Sequence, residues 1–165
     1  MDLMTVQYQL AQSSREVVCR FCEHFSNSDY IKESSYSGKG SIRNLHLHIA
    51  NTYFFWMGNF ALQRKQPYTK TTAVKSIYEM YQIFDQVNQV TSEFLIKFKH
   101  CPDLSISGAL TDKKHAITST PFKIFTHVIT HGFHHKGQIM SLSKQMGYQP
   151  PDTDHPLSFM IYKLF

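Results

Sequence analysis

The chain has 165 residues, 42% hydrophobic and 14% aromatic, enough to bury one substantial core and too apolar for a disordered or low-complexity segment. A formal charge of +5 arises from 17 Lys and Arg against 12 Asp and Glu, but the basic residues are scattered, the densest groupings being Arg64-Lys65 and Lys113-Lys114. With no basic run and no interleaving of basic and aromatic residues, nucleic acid is not an expected partner; an anionic small substrate suits the same balance.

Leu3, Val6, Leu10, Val17, Phe21 and Phe25 recur mostly at three-, four- and seven-residue spacing, which predicts a first helix over residues 3 to about 26. The Ser- and Gly-rich stretch 26–41 reads as a loop. Ser41 is a cap for a second helix running to about Lys65, stopped by Pro67. Thr71 or Thr72 opens a third, carrying Ile77, Met80, Tyr81, Phe84, Val87, Val90 and Phe94 and ending near Pro102. The connector 102–118 has room for a short hairpin. Thr120 as cap and Pro121 at the first helical position start a fourth helix, which Gly147 stops. After Pro150-Pro151 comes an apolar tail, "LSFMIYKLF", expected to pack on the rest. Four long helices and modest loops predict an all-α four-helix bundle, one domain over residues 1–165.

Cys19-Arg-Phe-Cys22 is formally a C-x-x-C, yet no second pair accompanies it and no strand precedes it, so buried thiols are expected rather than a zinc ribbon or a redox motif. The first sixteen residues lack the apolar stretch of a signal peptide, and the aromatic run Tyr53 to Met57 is far shorter than a bilayer span. No membrane association and a cytoplasmic, reducing setting are expected.

The segment "THVITHGFHHKGQ" holds four of the ten histidines within nine positions. At about 100° per residue, Ile124, Val128, His135, Gln138, Ile139 and Leu142 all fall within roughly 80° of His131. This phase puts His131 and His135 in the centre of the apolar stripe, while His127 and His134 group with Lys123, Thr130 and Ser141 on a polar edge. Two imidazoles at i and i+4 share a face and can grip one ion. Left unpaired in a core, each would cost on the order of 1–3 kcal/mol. A third ligand has two candidates on the second helix, His46 and His48. They lie about 200° apart, so both cannot face the same ion, and phase does not choose, because apolar residues flank each.

Three neutral imidazoles leave an open coordination position, as catalytic metal sites do. A di-iron centre is not expected, since it wants several Glu and Glu-x-x-His pairs, and no Glu-x-x-His occurs.

The chain resembles the DinB-like family, in which damage-inducible proteins are grouped with YfiT-type metalloenzymes. The similarity rests on Leu45, His48 and Phe55-Trp56 of the second helix, on His131-Gly-Phe-His-His135-Lys136-Gly137-Gln138 of the fourth, and on Gly147, Pro150-Pro151 and Asp152 beyond it. The resemblance implies an up-down-down-up bundle whose ligands are His48, His131 and His135, holding zinc or nickel. It implies a divalent-metal-dependent enzyme, such as an S-transferase using a low-molecular-weight thiol and an electrophilic substrate, with Gln138 and Tyr53 as outer or substrate contacts, in a homodimer. The alternative it leaves is a dimeric metal-binding stress-response protein without turnover. Lys136 stands where the family usually has Arg, which keeps the charge and loses the planar fork.

Overall fold

The computed structural model describes residues 2–34, 38, 40–109 and 116–152. The apolar stretch expected to pack back on the bundle lies outside the described residues. The architecture is the expected all-α one, with differences at the helix ends that each have a local cause.

Helix α1 spans Leu3–Cys22, with Asp2 as its cap accepting from the Met4 amide and the Thr5 hydroxyl. It stops four residues before the expected end, because Ser26 starts a separate short helix, α2 (Asn27–Ile31), by accepting from the Asp29 amide at 3.0 Å. The stretch read as loop therefore opens with a helical turn, which buries Tyr30.

Helix α3 (Ile42–Tyr53) begins at Ser41 as expected, then widens into a π-helical segment over Phe54–Ala61 instead of running on to Lys65. The Leu62 amide donates five residues back to Met57 at 3.0 Å. Gln63 follows in the left-handed region, φ 56°, and breaks the helix before Pro67 is reached. The irregular connection beyond is held by two asparagines on the helix. Asn51 pairs with both backbone groups of Thr69, each at 3.0 Å, and Asn59 pairs in the same way with Gln66. Each carboxamide substitutes for a neighbouring strand. Asn51 is buried, so Asn51→Ala leaves two backbone groups without a partner; a loss of about 1–3 kcal/mol in chemical denaturation is expected.

Helix α4 (Ile77–Phe98) starts later than Thr71 or Thr72, which form only a single 3-10 turn, Thr71–Ala73. The true cap is Ser76, in a reciprocal capping box with Glu79. The connector does hold a hairpin, β1 (Ile106–Ala109) antiparallel to β2 (Ala116–Ser119), with Ile106 opposite Ser119. Gly108 lies so close to the Phe60 ring that a Cβ there would sit 3.0 Å from Cε2. The missing side chain lets the hairpin rest on the π-helical segment.

Helix α5 (Pro121–Gln145) has the expected Thr120 cap and first-turn proline. Gly147, at φ 89°, ends it in a Schellman arrangement: its amide reaches Lys144 and that of Tyr148 reaches Ser143, both at 3.0 Å. Tyr148 then stacks on Phe25, centroids 3.8 Å apart, and its hydroxyl donates to Asp29 at 2.8 Å. That hydrogen bond, with a lesser one from Ser26, lowers the Asp29 carboxyl below the usual carboxylate range. Tyr148→Phe is expected to raise it, measurable by a carboxyl NMR titration. The increment of stability the pair contributes is present above the ordinary carboxylate pKa and is lost as pH falls through the lowered one.

In the bundle, α3 packs on α4 and α5, and α1 packs on the same two. Phe54, Phe94, Phe98 and Phe125, with Ile42, Leu45 and Met80, are fully buried between them. Among the described residues no helix is long and apolar enough to cross a membrane.

Candidate metal centre

The helix pair α3 and α5 positions the histidines. His131 and His135, one turn apart on α5, meet His48 of α3. The Nε2 atoms of His48 and His131 are 3.1 Å apart, as are those of His131 and His135. The three ring centroids are 4.4–4.7 Å from one another. Among the described residues these three form the one group of His, Cys, Asp or Glu whose donor atoms converge closely enough to hold an ion. A tetrahedral ion with bonds of about 2.0–2.1 Å keeps its nitrogens roughly 3.3 Å apart, so the observed spacing fits with little adjustment.

The donor chemistry fits as well. Burial first, and the neighbouring His135 and His48 second, push His131 down to about 4, so its ring is neutral near pH 7. Three imidazoles that bring their Nε2 atoms to one point form a donor set that a single cation can take together. The Oε1 of Gln138 lies 2.7 Å from His135 Nδ1, while its amide nitrogen lies 3.2 Å from His134 Nε2. With the carboxamide oxygen on Nδ1, the His135 proton stays there and the Nε2 lone pair points at the cluster, the arrangement an outer partner gives a metal-binding imidazole. His131 has no such partner: its Nδ1 is buried and unpaired.

Of the two histidines that phase left open on α3, His48 joins the cluster. His46 turns the other way into the core, where its Nδ1 lies 2.9 Å from the Tyr30 hydroxyl and burial pushes it down to about 3. Tyr53, expected as an outer contact, is buried on that same inner side, its ring 6.3 Å from Tyr8. It borders a small cavity rather than the three-histidine cluster.

The phase of α5 needs one correction. His135 is buried, but His131 is only partly so, and it marks the edge of the apolar stripe rather than its centre. Phe125, Ile129 and Ser143 are also buried, which moves the middle of the stripe about 70° round, toward Val128 and Ile139. His127 and His134 are exposed, as expected for the polar edge. His127 rests between Trp56 and His131, at ring distances of 5.3 and 5.7 Å. His48 and His131 are thus partly exposed, and among the described residues the cluster faces solvent on that side.

Cys19 and Cys22 are buried thiols without a disulfide, as expected. Burial pushes Cys19 up to about 12 and Cys22 well above the ordinary value, so neither is a thiolate near neutral pH.

A comparison with curated proteins finds no match. The model of the DinB family matches residues 2–161, a span that contains the three clustered histidines. The chain belongs to the DinB family.

Proposed function

We propose that His48, His131 and His135 bind one divalent cation, zinc or nickel, and that the protein is a metal-dependent enzyme acting on a small thiol, an S-transferase. The observation that carries this reading is the convergence of three imidazole nitrogens, with His131 Nε2 lying 3.1 Å from those of both His48 and His135 while the His48 and His131 rings remain partly exposed. A structural site would be closed by a fourth protein ligand; among the described residues no Cys, Asp, Glu or further His joins these three.

When bound, the ion supplies Lewis acidity, which lowers the pKa of a thiol entering its open position. The chain's own residues do the rest. His48 and His131 leave a solvent-facing approach, and Gln138 fixes the tautomer and direction of His135. In the transfer the thiol loses its proton to solvent, its sulfur forms a bond to the electrophilic carbon, and the leaving group departs with the electron pair of the broken bond.

The test is a two-part measurement. Protein purified without added metal is analysed for bound ions, then assayed for conjugation of cysteine to a chloro-dinitrobenzene probe. Turnover that needs the ion, stops with chelator and returns on reloading supports the reading. Conjugation indifferent to His131→Ala and His135→Ala overturns it.

A further inference from the structure

Beyond His48, the π-helical segment that continues α3 carries Trp56 to His127, which stands one turn before His131 on α5. The rings form a continuous row that starts at the cluster. Centroids are 5.7 Å apart between His131 and His127, 5.3 Å between His127 and Trp56, and 5.2 Å between Trp56 and Phe55. The buried Phe60 supports Trp56 at 5.5 Å. Phe55, Phe60 and His127 meet the indole at interplanar angles of 87°, 64° and 73°. Among the described residues no ring stacks flat on it.

The row is open to solvent where it adjoins the cluster. His127 is exposed, and Phe55 and Trp56 are partly so, as are His48 and His131 themselves. Burial of aromatic surface is favourable, so two half-covered aromatic side chains beside an accessible donor set are a surface on which an apolar ligand gains by settling. Thr52, one turn after His48, turns its hydroxyl back to the His48 carbonyl at 2.8 Å. The opposite flank, past His135, is polar, with the Gln138 carboxamide between His135 and His134. The cluster therefore has one aromatic side and one hydrogen-bonding side.

On the transfer proposed for the cluster, we infer that Trp56, with Phe55 and His127, is the seat of the electrophile, and that the electrophile is an electron-poor aromatic compound carrying a leaving group. The face of an indole is the negative part of its quadrupole, and an electron-poor ring complements it in an offset stack. Such a stack needs no hydrogen bond, which suits this side of the cluster. In an aryl electrophile the reacting carbon belongs to the ring itself, so the residue that seats the ring also places that carbon. The step is an aromatic substitution: the thiol proton goes to solvent, the carbon–sulfur bond forms, and the leaving group departs with the electron pair of its bond to the ring. Trp56 sets which electrophiles are held, and the polar side at Gln138 is left to the thiol.

Trp56 is the chain's one tryptophan, so its indole N–H gives a single assignable NMR resonance. Full-length, zinc-loaded protein is titrated with 1,3-dinitrobenzene, which has the ring and no leaving group, and with nitrocyclohexane as the non-aromatic counterpart. A saturable shift of the indole resonance is expected with the first and none with the second. In steady-state assays with cysteine, Trp56→Leu is expected to raise KM for chloro-dinitrobenzene about fivefold to tenfold, the size of one aromatic pair. Its kcat should change little, iodoacetamide should be turned over as by the wild type, and Trp56→Phe should recover most of the loss. Should Trp56→Leu fail to fold, the wild-type titration and Trp56→Phe decide. An unmoved indole resonance, an equal response to nitrocyclohexane, or an equal rise in KM for iodoacetamide overturns the seat, and leaves the transfer standing if turnover still depends on His131. A shifted indole resonance in protein without metal-dependent turnover supports the seat and sinks the transfer.

Discussion

His135→Ala is expected to purify with less than about a tenth of the metal bound by the wild-type chain, because one of only three protein donors is gone. Loss of an outer partner alone costs roughly 10–100-fold in affinity, and loss of a donor atom in direct contact costs more. His131→Ala and His48→Ala are expected to behave alike. The informative controls are the neighbours. His127 has its ring 5.7 Å from that of His131 and carries no converging nitrogen; His127→Ala should retain the ion. His46 lies two residues from His48 but faces Tyr30; its replacement should lower stability and leave metal content intact. The same contrast should appear in thermal melts. Metal at a hundred times its Kd adds about 2.7 kcal/mol, which for a chain of this size is a rise of about 5–10 °C. That rise should vanish in His135→Ala and persist in His127→Ala. A wild-type melting temperature indifferent to zinc and nickel, or equal metal loss in both variants, would falsify the proposed ligand set.

The parts of this fold that were legible in the chain are those where a local signal acts alone. Thr120-Pro121 and Gly147 bound α5 because a cap hydroxyl, a pre-set φ and a left-handed stop need no tertiary help. Ser41 starts α3 for the same reason. Ser76 and Glu79 form an equally readable capping box, but Thr71 and Thr72 offer the same cap chemistry earlier in the chain. The π-helical turn was not readable. Phe54 to Ala61 is apolar almost all round, so it has no phase to reveal a change of period, and the Asn51 and Asn59 clamps that hold its exit act across the connection rather than along the helix.

The site divides in the same way. The i, i+4 spacing of His131 and His135 predicts that they share a face in any helix. The choice between His46 and His48 depends on which side of α3 meets α5, and that is decided by packing of both helices against α1 and α4. Ile42, Ala50 and Tyr53 share a phase with His46, and Leu45, Thr52 and Phe55 share one with His48, so helical phase alone does not separate the two. Likewise His131 is central only to the part of the stripe that faces one neighbour; burial of Phe125, Ile129 and Ser143 widens the stripe, because α5 packs on two neighbours rather than one.

Gln138→Leu is the subtler companion test, because it leaves all three rings in place. The carboxamide joins His135 Nδ1, at 2.7 Å, to His134 Nε2, at 3.2 Å. Leucine keeps much of the volume and removes both contacts. His135 is then able to carry its proton on either nitrogen, and the tautomer with hydrogen on Nε2 has no lone pair directed at the cluster. Metal affinity is expected to fall 10–100-fold, with melting temperature in chelator nearly unchanged because Gln138 is only partly buried. Gln138→Glu separates orientation from hydrogen-bond loss. A carboxylate still accepts from Nδ1–H and makes the imidazole more basic, so affinity should recover to the wild-type level or above. A carboxamide that served only to tie His134 to His135 would instead give equal affinity in Leu, Glu and wild-type proteins. That pattern would leave the orientation of His135 to the packing of α3 against α5 alone.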